Sequence, residues 1–329
     1  MKLVQAEKID AVDDYRLIDA PMPSIAADAV LIQVMVCGMG YVDALVALGG
    51  YQVKPPVPFT PGQEISGRVA AVGSAVSTLQ VGDRVMANSF GGGLAEYVAV
   101  PQAMVTRIPD VMTFAQAAGF RVNYLTALHG LRDRAALQPG ERLLVFGAAG
   151  GVGSAAVQVG KHLGAEVIAV ASSDAKRAFA RDLGADAVLD SDVEGWRDRL
   201  KALCGGKGPD VIFDPVAGPL FEAAFRSLNW GGRHLVVGFV GGPIPKLPIN
   251  LSLMKGAALI GVDVRQFLLY EGAKAAGHLD MLLNWVAEGG FSPPVGRIFA
   301  LDDFADAMRF AMSGAGVAKS VIHVAEPVG

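Results

Sequence analysis

A glycine-rich stretch between an apolar segment and a helix-like segment constrains the fold of this chain most. It runs from Gly147 to Gly153 and follows the branched and aromatic run 143–146, which is typical of a buried parallel strand. Apolar residues then recur at helical spacing up to Gly164, and a second strand is predicted at 166–171. Glycine permits the tight turn and lets the main chain approach a pyrophosphate, which the N–H groups of a helix N-terminus bind. Together these elements predict a dinucleotide site.

Composition restricts the class of protein. At 329 residues the chain is too long for one ordinary core, so two domains are expected. Its 28 basic and 32 acidic residues give a net charge of -4, and no nucleic-acid partner is indicated. Two cysteines, Cys37 and Cys204, are too few for a disulfide scaffold or a Cys-rich zinc site. The N-terminus has no signal-like apolar run and no segment resembles a membrane span, so a soluble cytoplasmic protein without a membrane partner is expected.

The two halves of the chain have different patterns. Short strands bounded by Gly, Asp or Pro in the first third predict a small barrel; they lie at 29–36, 67–73, 82–86 and 95–100. From Glu141, strands and helices alternate, which predicts a doubly wound parallel sheet. Its later strands are predicted at 187–189, 210–214, 234–238 and 259–264. The tail, with helices near 279–288 and 304–312 and a strand at 320–324, is predicted to return to the first domain.

The end of the second predicted strand bears on the choice of cofactor. NAD-specific folds place a carboxylate there to bind the ribose 2′-hydroxyl, but this chain has Ala171. Ser172 and Ser173 offer hydroxyl groups, and Lys176 or Arg177 offers a positive charge for a 2′-phosphate. The alternative is an N-cap serine followed by a solvated basic helix face. We expect NADPH as the cofactor.

The order of a β-rich front, a nucleotide-binding middle and a short return resembles the medium-chain dehydrogenase/reductase superfamily. The similarity extends over essentially the whole chain and is greatest to the zinc-independent NADPH:quinone oxidoreductases, the zeta-crystallin-like group. Besides the Gly147 to Gly153 turn, the stretches that carry it are 38–43, 61–67, 81–85, 92–97 and 214–218.

The resemblance implies a domain layout. A GroES-like β-barrel catalytic domain would comprise 1–122 and 266–329, and a Rossmann domain would comprise 123–265. Because the apolar strand from Leu259 should end the Rossmann sheet, and relatives dimerise through that edge, a homodimer is expected.

The resemblance also implies cofactor contacts beyond the glycine turn. Thr126 should touch the phosphate or the nicotinamide ribose, and Lys319 should reach the cofactor from the returning strand, although an ordinary exposed lysine is the alternative. The full set of expected cofactor-binding residues is Thr126, Ala149, Gly150, Gly151, Val152, Ser172, Ser173, Lys176, Gly238, Phe239, Val240, Val262, Val264 and Lys319.

The chain departs from the zinc-dependent relatives at two positions. Those relatives carry Cys where this chain has Gly40, and a His-Glu pair where it has Gln63 and Glu64. No metal is therefore expected, and Cys37 is interpreted as a small buried hydrophobe. Without a Lewis acid, electron-poor acceptors are favoured: quinones, α,β-unsaturated carbonyls and enoyl thioesters. Quinone reductases usually place Asn at the position of Gly40.

The resemblance implies Tyr51 as the catalytic residue, because enoyl-thioester reductase relatives carry a catalytic Tyr at this place and quinone reductases often carry a Tyr too. Its phenol could donate a proton or a hydrogen bond after hydride addition. The alternative is a half-buried aromatic in a loop. Tyr41 and Asn123 are expected on the same substrate wall as Tyr51. The leading hypothesis is an NADPH-dependent reductase of a small-molecule quinone or enone. The alternatives are an enoyl-thioester (acyl-CoA) reductase and a non-catalytic NADPH-binding protein.

Overall fold

The structure is a computed structural model that describes residues 1–52 and 54–325. Its strands are β1 (Lys2–Gln5), β2 (Arg16–Asp19), β3 (Ala29–Met39), β4 (Glu64–Val72), β5 (Arg84–Asn88), β6 (Tyr97–Pro101), β7 (Val105–Arg107), β8 (Arg142–Val145), β9 (Glu166–Val170), β10 (Ala187–Leu189), β11 (Val211–Asp214), β12 (Arg233–Val236), β13 (Ala258–Gly261), β14 (Val295–Ala300) and β15 (Lys319–His323).

Its α-helices are α1 (Tyr41–Ala47), α2 (Phe114–Ala117), α3 (Arg121–Leu128), α4 (Gly151–His162), α5 (Asp174–Asp182), α6 (Trp196–Leu203), α7 (Phe221–Ser227), α8 (Asn250–Lys255), α9 (Val264–Tyr270), α10 (Gly272–Ala287) and α11 (Phe304–Ser313). A π-helix, His129–Arg134, continues α3, and short 3-10 turns precede β2, β7 and α11. In the described ranges, no helix has both the length and the apolar character that a bilayer crossing requires.

One compact unit, called here the barrel unit, comprises Met1–Arg121, Val286–Glu288 and the described residues from Ser292 onward. Its main sheet has the order β14-β15-β3-β4-β5-β7, with β6 also paired to β3. Alternate residues of the strands point inward, and Val34, Ile65 and Val85 are fully buried there. The last strand, β15, runs antiparallel to β3 and places Ile322 opposite Cys37. Strands from both ends of the chain thus form one sheet.

The second unit, called here the nucleotide unit, comprises Val122–Trp285 and Gly289–Phe291. Its parallel sheet has the order β10-β9-β8-β11-β12-β13. In this order the first strand lies in the middle, as in a doubly wound Rossmann sheet, with the topological switch between β8 and β11. Side chains such as Leu144, Ile168 and Ile212 are fully buried in it. The predicted α/β class with a Rossmann sheet is confirmed.

The observed units differ from the expected domain limits of 1–122 with 266–329 and 123–265. Residues 266–285 group with the nucleotide unit, because their side chains pack on its helices. Phe267 stacks on His129 with 3.9 Å between ring centroids, and Trp285 lies 4.1 Å from His162. The last four residues of the expected barrel domain, 326–329, lie outside the described residues.

Several element limits also differ from the sequence predictions. The strand expected at 259–264 ends at Gly261, since the Asp263 carboxylate accepts N–H groups of Arg265 and Gln266 and starts α9. The helix expected at 279–288 begins earlier, at Gly272. The elements that were not predicted are the strands β1, β2, β7 and β14 and the helices α1, α8 and α9.

Candidate functional site

The glycine turn joins β8 to α4 in the nucleotide unit. Gly147 has φ +56°, in the left-handed region, and its carbonyl accepts the Gly150 N–H at 2.8 Å. A Cβ atom on Gly153 would lie 2.1 Å from the Gly147 oxygen, so only glycine fits there. The first N–H groups of α4 have no acceptor within the helix and point out of its N-terminus. The turn therefore has the geometry of the predicted pyrophosphate cradle, and its contact with the cofactor stays a prediction.

Asn123 lies beside this turn within the nucleotide unit. A Cβ atom on Gly151 would lie 2.9 Å from the Asn123 amide nitrogen. The structure thus places Asn123, expected on the substrate wall, at the N-terminus of α4. Thr126, expected at the cofactor, is buried in α3, where its hydroxyl donates to the Val122 carbonyl at 2.6 Å.

The end of β9 carries the groups expected to choose between NADPH and NADH. Ala171 follows the strand, and the Ser173 hydroxyl caps α5 by accepting the Lys176 N–H at 3.3 Å. The guanidinium of Arg177 lies over this strand end, where it donates to the Ala171 carbonyl at 2.9 Å. It also pairs with the exposed Asp174 carboxylate at 2.6 Å. The structure therefore fixes the guanidinium at the end of β9 and partly neutralises it.

The segments after β11, β12 and β13 contain the remaining expected cofactor residues. A Cβ atom on Gly238 would lie 2.9 Å from the Pro215 carbonyl, so this segment packs closely on the turn after β11. Phe239 and Val240 leave about half of their surface exposed, whereas Val262 is buried. Val264 is the first residue of α9. Exposed apolar groups at the carboxyl ends of parallel strands suit a planar ring ligand.

The two expected substrate tyrosines belong to the barrel unit and flank its first helix. Tyr41 opens α1, and the half-buried Tyr51 packs against the barrel core. Gly49, with φ +63°, turns the chain between the helix and Tyr51. Cys37 is fully buried, and burial, helped by Asp43, raises the pKa of its thiol.

Lys319 lies inside the barrel unit with two acidic partners. Its ammonium lies 2.9 Å from Asp43 Oδ2 and donates to Glu64 Oε2. Burial alone would lower the pKa of Lys319, but the two carboxylates outweigh it and raise the pKa above its ordinary value. The alternative interpretation of Lys319 as an ordinary exposed lysine is thus wrong, since under a tenth of its side chain is exposed. Whether Lys319 also meets the cofactor stays a prediction.

The zinc ligands of the zinc-dependent relatives are not reproduced. The Gly40 N–H donates to Asp43 Oδ2 at 2.8 Å and caps α1, and Glu64 is paired with Lys319. Among residues 1–52 and 54–325, no three His, Cys, Asp or Glu side chains converge as a metal would require. The residues present do not fit a catalytic zinc ion.

Sequence reasoning missed a polar cluster around Asp133. Its carboxylate meets His129 Nδ1 at 2.8 Å, the Lys274 ammonium at 3.1 Å and His278 Nε2 at 3.5 Å. The i, i+4 spacing of His129 and Asp133 was the available signal, but the other two partners are about 140 residues away along the chain.

Comparisons with known proteins agree with this geometry. Residues 26–110 match the family model described as "Alcohol dehydrogenase GroES-like domain", and residues 151–278 match "Zinc-binding dehydrogenase". The chain is 36% identical over 306 residues to quinone oxidoreductase-like protein 2 of Rattus norvegicus, covering 93% of this chain and 87% of that protein.

Solved structures show the same similarity. The quinone oxidoreductase of Thermus thermophilus, solved alone and in complex with NADPH, is 31% identical, with a TM-score of 0.85 over 98% of this chain and 100% of that chain. The CurK enoyl reductase is 26% identical, with a TM-score of 0.88 over 98% of each chain. The chain belongs to the quinone oxidoreductase branch of the medium-chain dehydrogenase/reductase superfamily, a family of oxidoreductases.

Proposed function

We propose that this protein is an NADPH-dependent, zinc-independent reductase of quinones or other acceptors with an activated carbon–carbon double bond. The observation that carries the proposal is the nucleotide unit's ligand surface. It combines a glycine cradle at the N-terminus of α4 with a fixed guanidinium, instead of a carboxylate, at the end of β9. The related Thermus thermophilus enzyme, solved with NADPH, supports the same cofactor.

The residues of the nucleotide unit fit such a cofactor. The N–H groups at Gly151 and Val152 would hold the pyrophosphate, and Ser172, Ser173, Lys176 and Arg177 would hold the 2′-phosphate. The segment Gly238 to Val240 would support the nicotinamide ring. When bound, NADPH supplies a hydride ion to the acceptor.

Tyr51 is the proposed proton donor. Addition of hydride to an enone leaves negative charge on the conjugated oxygen and requires a proton at carbon, so a positioned phenol should accelerate the step. A quinone gives a stabilised hydroquinone anion that solvent can protonate. Tyr41 and Asn123 are proposed to contact the acceptor.

Zinc independence is supported by the side chains themselves. Glu64 and Asp43 already have a cationic partner in Lys319, and Gly40 and Gln63 replace the cysteine and histidine ligands of the zinc-dependent relatives. Quinones and enones need no metal to become hydride acceptors, because conjugation already withdraws electron density from the reacting carbon.

The proposed assembly is a cytoplasmic homodimer joined through the nucleotide unit. β13 is the edge of its sheet. Leu259 on this strand is nearly half exposed, and four further apolar side chains in the nucleotide unit are largely exposed: Trp230, Ile249, Leu253 and Met254. An exposed apolar edge of this kind is typical of a surface that pairs with a second copy.

The second candidate is an enoyl-thioester reductase, which the similarity to the CurK enoyl reductase favours. A panel of quinones, simple enones and crotonyl-CoA, each assayed with NADPH and with NADH, separates the two. We expect rapid NADPH oxidation with quinones that survives treatment with a chelator. A preference for crotonyl-CoA would favour the second candidate. NADPH binding without turnover of any acceptor would indicate a non-catalytic binding protein.

A further inference from the structure

A buried histidine and a buried aspartate join two neighbouring strands of the nucleotide sheet. His234 Nε2 lies 3.0 Å from Asp214 Oδ2, and both side chains are almost fully buried. An ionised carboxylate can only accept hydrogen bonds, so Nε2 carries the proton and donates it. His234 Nδ1 has no hydrogen-bond partner among the described residues. The histidine ring is therefore anchored by its bond to Asp214 and by apolar packing.

The other oxygen of the same carboxylate holds the turn that follows β11. Asp214 Oδ1 accepts the N–H of Val216 at 2.9 Å and that of Ala217 at 2.8 Å. Ala217 has φ +47°, a left-handed conformation that a residue with a Cβ atom rarely adopts. Surrounding contacts must maintain such a conformation, and the carboxylate supplies two of them.

This turn is bonded directly to the segment after β12. The Asp214 carbonyl accepts the Val237 N–H at 2.9 Å, and the Val216 carbonyl accepts the Gly241 N–H at 2.8 Å. The glycine turn before α4 meets it only by van der Waals contact, since a Cβ atom on Gly147 would lie 3.1 Å from Val216 Cγ2. A shift of the turn would therefore displace 238–240 more than the glycine cradle.

The position of these segments in the sheet assigns them to one half of a dinucleotide. In a doubly wound sheet the ligand crosses the carboxyl ends of the strands at the switch point, here between β8 and β11. The adenosine ribose belongs at the end of β9, so the other half of the ligand extends over the ends of β11 and β12. His234 and Asp214 lie beneath that half.

We propose that His234 is a positioning residue for the nicotinamide half of the cofactor, an inference that rests on the proposed function. Its N–H fixes the Asp214 carboxylate, which holds the turn 214–217 and, through it, the segment that supports the ring. Without this donor, Asp214 Oδ2 would be buried without a partner, and the carboxylate would lose its fixed orientation.

The test compares NADPH with 2′-phospho-ADP-ribose, which lacks the nicotinamide ring. His234→Leu keeps an apolar side chain but removes the donor, and it should weaken NADPH about tenfold. It should change the affinity for 2′-phospho-ADP-ribose by less than about twofold. His234→Gln, whose amide N–H reaches as far as Nε2, should restore most of the NADPH affinity.

Phe225→Leu is the matched control, because Phe225 packs against the same ring without a hydrogen bond. It should lower stability and leave the ratio of the two affinities unchanged. If His234→Leu does not fold, His234→Asn, whose shorter amide cannot reach Asp214, gives the same comparison. Unchanged NADPH affinity in His234→Leu, or an equal loss of affinity for both ligands, would overturn this inference and leave the proposed function standing. A wild-type protein that binds neither ligand would overturn the proposed function and this inference with it.

Discussion

A Cβ atom on Gly38 would lie 2.9 Å from Cε of Lys319. Corresponding atoms on Gly40 and Gly119 would lie 3.4 Å and 3.3 Å from carbons of the same side chain. Three glycines therefore form a slot that holds the stem of a buried lysine and directs its ammonium group to Asp43 and Glu64. Lys319 thereby compensates the negative charges of two buried carboxylates inside the barrel unit.

Lys319→Met should destabilise the protein by about 3–5 kcal/mol, because two buried carboxylates would lose their cation. The check is the free energy of unfolding measured in urea. The triple variant Lys319→Met, Asp43→Asn and Glu64→Gln should recover much of the loss, since it removes the two carboxylate charges together with the ammonium group. If the triple variant is no more stable than the single one, the packing of the lysine stem matters more than its charge.

Acid should weaken the attachment of α10 within the nucleotide unit. Burial lowers the pKa of His278 below its ordinary 6.5, and the positive charges of Arg132 and Lys274 lower it further. The negative charge of Asp133 opposes this shift but does not cancel it. The pKa of Asp133 is also lowered. Burial alone would raise it, but the hydrogen bonds that the carboxylate accepts from His129 and Lys274 outweigh burial. The unfolded chain thus binds more protons than the native one, so stability falls as the pH drops below about 6.5 and again below about 4.

Urea unfolding between pH 7.5 and 5 checks the histidine contribution. His278→Gln should flatten the dependence of unfolding free energy on pH over this range. Leu283→Ala, which shortens a different buried side chain of α10, should lower stability by the same amount at every pH. A slope in His278→Gln equal to that of the wild type would contradict the assignment.

Lys176→Ala should weaken NADPH by about 10- to 100-fold and leave NADH nearly unchanged, because only NADPH has a 2′-phosphate. Asp174→Asn should instead strengthen NADPH binding about threefold, since it releases the Arg177 guanidinium from an exposed partner. Titration of protein fluorescence with each cofactor measures both effects. Equal losses for NADPH and NADH in Lys176→Ala would assign Lys176 to the fold.

Tyr51→Phe should lower the turnover of enones and enoyl thioesters by about 10²–10⁴-fold and that of quinones much less. Steady-state rates with both acceptor classes provide the measurement. Tyr97→Phe is the matched control, because Tyr97 is a half-buried tyrosine of β6 that is not proposed to contact the acceptor. Small, equal effects on both classes would leave Tyr51 as a pocket wall. Turnover of saturated primary alcohols by metal-free protein would refute the mechanism.

Leu259→Lys should convert the expected dimer to monomers, because a charge on an edge strand opposes pairing. Ile298→Lys provides the control, since Ile298 is similarly exposed on β14, the edge of the barrel sheet. Light scattering at micromolar concentration would show the difference. A wild-type protein that is monomeric under these conditions would refute the assembly.

The sequence predicted the elements whose signals are local. β8, the glycine turn and α4 follow from adjacent residues, and the short strand β10 was predicted with its observed limits. Features that depend on distant residues were not predictable. Lys319 meets Asp43 and Glu64 only after both ends of the chain join one sheet, so nothing near Lys319 in the sequence indicates its partners.

The domain boundary shows the same limitation. Residues 266–285 have an ordinary helical pattern, and only the contacts of Phe267, His278 and Trp285 assign them to the nucleotide unit. The contact of the Arg177 side chain with the Ala171 carbonyl, six residues earlier, is not indicated by the helical pattern either. Periodicity reports which face of a helix is buried, but it does not report the element against which that face packs.

The pairing of β15 with β3 has a consequence for biosynthesis. The segment of β3 from Val36 to Met39 pairs with residues 320–323, which leave the ribosome after the whole of the nucleotide unit. The nucleotide unit, almost entirely one continuous stretch, can therefore complete its sheet while this part of β3 still lacks a neighbour. A nascent or truncated chain that lacks β15 exposes an apolar strand edge, and such an edge is what chaperones protect and proteases recognise.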